Sequence, residues 1–357
     1  MSDILCIELE GESAKARGQC YGESAREQIK AVIEVYRDIA RRQRFLDWDH
    51  IDQELSGYIK CAKSIVPDLV NEIDGIAQGA GCRFNDIFAL NCRSEILLMD
   101  NAQGGCSSLA VLPNSTRSKD TLLAQNWDWH QGLKDHQVIL KITNRKNIPN
   151  LVTFTEAGQL AKIGMNDAGI ALCVNNLTPS NQQVGLPWVL VARKALESAN
   201  FTEAMGTVLH TIKGHSMNYM IAYADGVAVD IESNPTTDRV IWPEHGVLVH
   251  TNHYLYQTPR FIDNKPKKDP YPSTYVRYFR MKQFFAEFEG NIGMDTVKTI
   301  LRDHVDHPFS ICLHDNPRMD KSLQFTTCLS IIMNLNERTL TYTTGNPCKA
   351  SYRQICL

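Results

Sequence analysis

Among the residues able to act as nucleophiles, Cys106 has the most informative neighbours. Gly104 and Gly105 precede it, Ser107 and Ser108 follow, and an alternating apolar run comes next. A glycine before a nucleophile admits strained backbone conformations and leaves its carbonyl unshielded. A thiol at this point can attack that carbonyl. The N-to-S acyl shift gives a thioester, its hydrolysis releases residues 1–105, and Cys106 becomes a new N-terminus. The freed α-amino group, with a reference pKa of about 7.7–8.0 against about 8.5 for the thiol, then serves as base for its own side chain. No histidine is required. The plain alternative is a core cysteine at the start of a strand. The competing pair Gly81-Cys82 is followed by Arg83, Phe84 and Asn85 at the end of a helical run, where no strand presents a thiol.

Strand pairing adds a carboxylate to this picture. If residues 114–120 (NSTRSKD) turn between strands 106–113 and 121–129, with Pro113 opposite Thr121, then Asp128 falls opposite Cys106. Directly opposed residues share a face, with Cβ atoms about 4.5–5.5 Å apart. Cys106, Ser108, Asn126 and Asp128 then make the polar end of that face, and Ala110, Leu112, Leu122 and Ala124 the apolar end. A carboxylate there orients the new ammonium group. A one-residue slip would turn Asp128 to the other face, and its plain reading is a residue capping a strand end.

Other chemistries find little support. There is no G-x-x-x-x-G-K-[ST] loop, no G-x-G-x-x-G after a strand, no G-x-S-x-G elbow and no H-E-x-x-H, which removes the main signals for nucleotide hydrolysis, dinucleotide redox, serine-hydrolase and zincin activity. His250-x-x-His253 and His304-x-x-His307 each offer two ligands where zinc takes three or four. Loop or core histidines are the expectation, with no metal and no resident cofactor. The cysteines number eleven, scattered and without a C-x-x-C pair, unlike a secreted disulfide framework or a zinc ribbon. Ten are expected to be reduced packing residues. Asn114-Ser-Thr and Asn200-Phe-Thr match the glycosylation sequon, which matters only in a secreted chain.

The elements that must position these residues divide near residue 104. Before it, Ile29, Val32, Ile33, Tyr36, Ile39 and Ala40 recur at helical spacing, and Pro67 opens a second run through Leu69, Ile73 and Ile76. Beyond it come strand-like runs: SSLAVL, TLLAQNW, QVILKI, LVTFT, IALCV, YMIAYA, VAVDI, VLVHT, LSIIM and TLTYT. Helical stretches interrupt them at 186–199, after Asn200 with Glu203 in a capping-box position, and at 273–289, whose aromatic stripe reads as core. Strands with helices segregated between them predict an α+β fold. The 357 residues are 43% hydrophobic, 22% charged and 8% aromatic, which excludes disorder and collagen-like repeats. A net charge of −3 gives no basic footprint for nucleic acid or an anionic membrane. The start has neither a basic nor an apolar leader region, and no apolar run approaches the roughly 18 residues of a membrane span. The cytoplasm is the expected compartment.

GGCSS followed by AQNWDW resembles the cysteine start and N-W-D strand of the isopenicillin N acyltransferase family, which are self-processing N-terminal-nucleophile (Ntn) hydrolases. The likeness continues through FTEAGQLAKIGMNDAGIAL (154–172), Asn175, RKALESA (193–199), HTNH (250–253) and PFSIC (308–312), and covers nearly the whole chain. It implies a four-layer αββα sandwich, with residues 1–105, including LNCRSE at 90–95, as a helical pro-segment that stays as a small subunit. Residues 106–357 become the catalytic subunit of the same folded unit. By this resemblance Cys106 is the nucleophile, Gly105-Cys106 the autocleavage site, Asp128 the catalytic aspartate and Asn252 an asparagine that stabilises the oxyanion. Asn175 and Ser108 are implied as polar support for substrate and oxyanion. Two departures stand out: Leu313 after PFSIC and Leu323 in Lys321-Ser322-Leu323, where the penicillin enzyme carries Arg. Loss of a guanidinium removes a carboxylate or phosphate clamp, so penicillins and acyl-coenzyme A lose support, the latter remaining a candidate co-substrate. The C-terminal Gln354-Ile355-Cys356-Leu357 is neither a peroxisomal signal nor a prenylation box.

The resulting expectation is a self-activating cysteine amidohydrolase or acyltransferase for a small amide or acyl thioester. Two other readings stay open: an unprocessed, silent homologue that binds a small acylated ligand, and a Cys/His hydrolase using His250 or His253 as base in the uncut chain.

Overall fold

The computed structural model describes residues 4–97, 105–178, 183–255, 272–288, 290–319 and 324–357. Gly104 and the Lys321-Ser322-Leu323 run lie outside them. The N-terminal part carries β1 (Leu5–Glu10), α1 (Ala14–Ser24), α2 (Arg26–Ile39), α3 (Ile51–Ile65), α4 (Pro67–Ala80), α5 (Phe84–Asn91) and α6 (Arg93–Leu97). The stripe predicted on α2 is buried at Ile29, Val32, Ile33, Tyr36 and Ile39. Pro67 does open α4, and Gly81 closes it at φ 67°, a left-handed conformation suited to glycine.

Helices α1 and α4 pack backbone to backbone. A Cβ at Gly18 would lie 2.0 Å from the Glu72 carbonyl oxygen, and one at Gly75 would lie 2.1 Å from that of Lys15. No larger side chain fits there. Buried charges bind the same elements to the rest of the molecule: Arg17 of α1 and Arg193 both meet Glu72 of α4, and Arg193 also reaches Glu197.

The strands that follow are β2 (Cys106–Val111), β3 (Leu122–His130), β4 (Gln137–Thr143), β5 (Leu151–Glu156), β6 (Ile163–Asn166) and β7 (Ile170–Asn176), then β8 (Met217–Tyr223), β9 (Val227–Ser233), β10 (Asp238–Ile241) and β11 (Val247–His250), with β12 (Phe325–Asn334), β13 (Thr339–Thr344) and β14 (Arg353–Cys356) last. One sheet has the order β1-β4-β5-β6-β7-β8-β9-β10, the other β11-β2-β3-β12-β13-β14. Their central strands face each other, with β2 and β3 against β7 and β2 against β8. Helices α7 (Trp188–Leu196) and α8 (Phe201–His210) cover the first sheet, and the helices Ser273–Glu287 and Met294–Leu301 cover the second. The result is the helix–sheet–sheet–helix sandwich that the family resemblance implies. Strands buried on both faces explain why runs such as QVILKI lack clean alternation.

All ten predicted strand runs are strands, and β1, β6, β10 and β14 add to them. The first of these corrects the helix-rich reading of the N-terminal third: β1 pairs in parallel with β4, so the segment supplies an edge strand to the larger sheet. Further links run from Tyr21, whose hydroxyl accepts from Gly158 N at 2.8 Å, and from Arg93, which meets Glu156 at 3.1 Å. Among the described residues no helix is long and apolar enough to cross a membrane.

Candidate active site

Cys106 is the first residue of β2, a strand flanked by β11 and β3. The pairing differs by one residue from that expected: Cys106 lies opposite Trp127, Ser107 opposite Asn126 and Val111 opposite Leu122. The cause is in the connection. Leu112 N–H bonds to Gly246 O, while Thr121 O accepts from Leu335 N. Pro113 has no N–H to offer. Position 113 therefore cannot zip to 121, and the ladder closes at 111 and 122.

The shift separates the two expected partners. Cys106, Ala110 and Trp127 face the other sheet, whereas Leu109, Val111, Leu122 and Ala124 face the helical layer. By the two-residue period of the strand, Ser108 and Gln125 join the first set, and Ser107, Asn126 and Asp128 the second. Asp128 meets the residue before the cysteine instead. Its N–H donates to Gly105 O at 2.9 Å, and a Cβ added at Gly105 would lie 3.0 Å from Asp128 Oδ2.

The Cys106 backbone is held on both sides. Its N–H donates to Asn252 Oδ1 at 2.7 Å, and its carbonyl accepts from Arg277 Nη1 at 2.6 Å. The Arg277 guanidinium also reaches Ser107 Oγ and Asn252 Oδ1, each at 3.0 Å. Asn252 is placed just past β11, where its own N–H donates to Thr274 Oγ1 and its Nδ2 to Asn176 O. An amide nitrogen carries two hydrogens, so one remains for a developing oxyanion. Ser108 Oγ donates to Asn175 Oδ1 at 2.7 Å, and the buried Asn175 Nδ2 has no hydrogen-bond partner among the described residues. Resemblance alone named Asn175 and Asn252, and the structure brings both to the cysteine's strand.

Charge at the site is tuned by burial. Asp128, completely buried, is pushed up to about 8, against the pull of Arg277 and of Thr327, whose hydroxyl donates to Asp128 Oδ1 at 2.6 Å. The Cys106 thiol is pushed up to about 11 by burial and then by Asp128. It needs a base. On its side of the sheet Lys162 lies 3.6 Å from the centre of the Trp127 ring and pairs with Glu156, and burial lowers its ammonium to about 8.

Both predicted histidine bases have at least one ring nitrogen already engaged. His250 is engaged at both nitrogens, Nδ1 to Thr251 O at 2.8 Å and Nε2 to Glu232 Oε1 at 3.0 Å. Burial alone would lower its pKa, but Asp230 and Glu232 hold it above the ordinary value. His253 has its Nδ1 on the Thr251 and Thr274 hydroxyls, and burial lowers it to about 3. Among the described residues no imidazole is hydrogen-bonded to Cys106.

A sequence model of the family described as acyl-coenzyme A:6-aminopenicillanic acid acyl-transferase matches residues 115–349, the span that holds Asp128, Asn175, Asn252 and Arg277. The chain belongs to this acyl-transferase family. It is similar to the 40 kDa form of acyl-coenzyme A:6-aminopenicillanic-acid-acyltransferase of Emericella nidulans, at 27% identity over 302 residues, 83% of this chain and 81% of that protein. Among solved structures, penicillin V acylase from Agrobacterium tumefaciens aligns at 12% identity and a TM-score of 0.49, covering 71% of this chain and 86% of that one. The Caenorhabditis elegans ortholog of N-acylethanolamine-hydrolyzing acid amidase aligns at 15% and 0.45, covering 65% and 93%.

Arg277, Thr327 and Lys162 were not singled out by sequence reasoning. Only Arg277 leaves a signal. It lies on the buried face of the helix Ser273–Glu287 with Thr274, Met281 and Phe284, a charge set into a stripe at helical spacing.

Proposed function

We propose that this acyl-transferase family member is a self-processing cysteine Ntn enzyme. It cleaves Gly105–Cys106 and then transfers or hydrolyses the acyl group of a small amide or thioester. The observation that carries this reading is the seating of that one peptide bond. Gly105 O is held by the Asp128 N–H, Cys106 N by Asn252 Oδ1 and Cys106 O by Arg277. Polar groups converge on both sides of a buried glycine–cysteine junction.

In the maturation step Cys106 Sγ bonds to the Gly105 carbonyl carbon while Asp128 N–H holds its oxygen. The C–N bond breaks, nitrogen takes the thiol proton, and water splits the thioester into the Gly105 carboxylate and a free thiol. The new amine, beside Asn252 Oδ1, is the base that the raised thiol pKa calls for. An ammonium there also pulls Asp128 back toward ionisation. In turnover the thiolate attacks the substrate carbonyl, Asn252 Nδ2 and Asn175 Nδ2 offer hydrogens to the oxyanion, and the amine returns the proton to the leaving group. Water or an acceptor amine completes the cycle.

Leu313, where the penicillin enzyme has Arg, is buried, and its N–H donates to Thr327 Oγ1 at 2.9 Å. Residues 1–105 then remain as the small subunit, bound through α1–α6 and β1. The thiols are all free, which fits the reducing cytoplasm. The test is a denaturing gel of purified protein. Fragments of 105 and 252 residues are expected from wild type and one chain from Cys106→Ala. Uncut wild type with full activity toward N-acyl amines, N-acyl amino acids, β-lactam amides or acyl thioesters would sink the reading.

A further inference from the structure

Away from the active site, two histidines and two cysteines from three separate segments converge on one point. His304 follows the helix Met294–Leu301, Cys312 and His314 lie in the stretch before β12, and Cys348 lies in the turn after β13. Their four ligand atoms are within 4.8 Å of one another. His304 Nε2 and His314 Nε2 are 3.0 Å apart, Cys312 Sγ and His314 Nε2 3.5 Å, Cys348 Sγ and His314 Nε2 3.4 Å, and the two sulfurs 3.6 Å.

Four of the six spacings are close to the edges of a zinc tetrahedron, and the remaining two, from His304 to the sulfurs, are no longer than 4.8 Å. Zinc bound at about 2.3 Å to sulfur and about 2.0–2.1 Å to nitrogen sets edges of about 3.8 Å between sulfurs, about 3.5 Å between sulfur and nitrogen and about 3.3 Å between nitrogens. A disulfide would need its sulfurs about 2.05 Å apart. The surroundings suit a metal as well. Asn346 Nδ2 points at Cys312 Sγ from 3.8 Å, a donor placed to stabilise a thiolate. The three segments are already tied together by Cys312 N to Asp303 O at 3.1 Å, Asn346 Nδ2 to Leu313 O at 2.6 Å and Arg302 Nε to Pro347 O at 2.9 Å.

We propose that His304, Cys312, His314 and Cys348 bind one structural Zn²⁺ ion in a Cys₂His₂ tetrahedron. Four protein ligands close the shell, so the ion holds segments together and takes no part in acyl chemistry. Binding replaces the two thiol protons, which pass to solvent. This revises the expectation of no metal. Of the pair His304-x-x-His307 only His304 belongs to the set, and the spacing H-x₇-C-x-H-x₃₃-C is not a paired motif, so the site is invisible until the chain folds. The clip also lies beside the active site: Leu313, between two ligands, donates to Thr327 Oγ1, which in turn donates to Asp128 Oδ1.

The test uses the untagged full-length chain, loaded with zinc and dialysed, with metal content read by mass spectrometry. One zinc per chain is expected in wild type and in Cys356→Ser, and less than a tenth in His314→Ala and Cys348→Ser. Titration of metal-free wild type with Co²⁺ is an independent arm that needs no variant. It should give one equivalent of tetrahedral cobalt with sulfur-to-metal charge-transfer absorption. Less than a tenth of an equivalent in wild type, an octahedral cobalt spectrum, undiminished zinc in Cys348→Ser, or a native Cys312–Cys348 disulfide in peptide maps would each overturn the proposal.

Discussion

Asp128→Asn, made in a Cys106→Ala background that keeps the chain uncut, isolates the unusual carboxyl. The substitution preserves shape, and the amide oxygen can still accept from Thr327. In the unfolded chain the Asp carboxyl titrates near about 3.9, and in the folded chain it is raised to about 8 by burial. Between these values the folded state binds more protons than the unfolded one, so the Asp-bearing chain loses stability as pH rises. The loss is about 1.4 kcal/mol per pH unit, or about 4 kcal/mol from pH 5 to pH 8. The Asn variant has no such term. Urea unfolding of both proteins at pH 5, 6, 7 and 8 should show the variant gaining steadily on its parent, with the gain levelling above pH 8. A difference in stability that stays flat across the series would refute the reasoning: it would mean that Arg277 keeps Asp128 ionised throughout.

Arg277→Lys removes the planar fork that reaches Cys106 O, Ser107 Oγ and Asn252 Oδ1. Cleavage and kcat/KM should each fall about 10²-fold, as when one oriented donor is lost elsewhere, measured by a gel time course and steady-state kinetics. Gly105→Ala sets a methyl group 3.0 Å from Asp128 Oδ2. At an overpacking cost of about 1–3 kcal/mol, urea unfolding of the uncut chain should show a loss of that size, and a gel time course should show slower cleavage. Gly18→Ala puts its Cβ 2.0 Å from the Glu72 carbonyl oxygen. A loss of about 3 kcal/mol is expected in urea unfolding, with no change in the order of cleavage and turnover defects among the site variants.

Local patterns made much of the architecture legible. The α2 stripe, Pro67 at the start of α4 and Asn200 capping α8 through Glu203 N at 3.0 Å are short-range signals, and the ten strand runs carry their own apolar content. What escaped was short or at an edge. β6 (IGMN), β10 (DRVI) and β14 (RQIC) have four residues each, as β11 (VLVH) does, but unlike β11 they break up their apolar residues with Gly, Asn, Asp, Arg or Gln. β1 exists because β4 offers it a parallel edge, a partner more than a hundred residues away. The site divides in the same manner. Cys106 stands out in the sequence because the chemistry of a glycine–cysteine bond is local. Arg277 is not, since its partners are main-chain and side-chain atoms about 170 residues earlier, and an arginine among aromatics reads as the rim of a stripe. The Cys₂His₂ cluster is the extreme case, assembled wholly by the fold.

The register shift alters what the aspartate can do. Directly opposite Cys106, Asp128 would share a face with the thiol and act on the sulfur or on the amine it leaves behind. One residue along, it acts on the preceding residue: its N–H holds Gly105 O, and its carboxyl lies on the helix-facing side with Arg277, while the thiol points between the sheets toward Trp127 and Lys162. A strand interior would keep these two environments apart. The first residue of a strand does not, because the backbone of Gly105 and Cys106 is reached from both sides at once. The consequence is a division of labour across the sheet. Asp128 and Arg277 hold the peptide group from one face, and Asn175 and Ser108 line the face on which, in the proposed reaction, the sulfur would meet an acyl carbon. Asn252 at the end of β11 bridges the two through the Cys106 nitrogen. The same bridge would let a single asparagine act before and after the proposed cleavage: its Oδ1 holds the nitrogen as an amide in the uncut chain, and would hold it as an amine once the bond to Gly105 is gone.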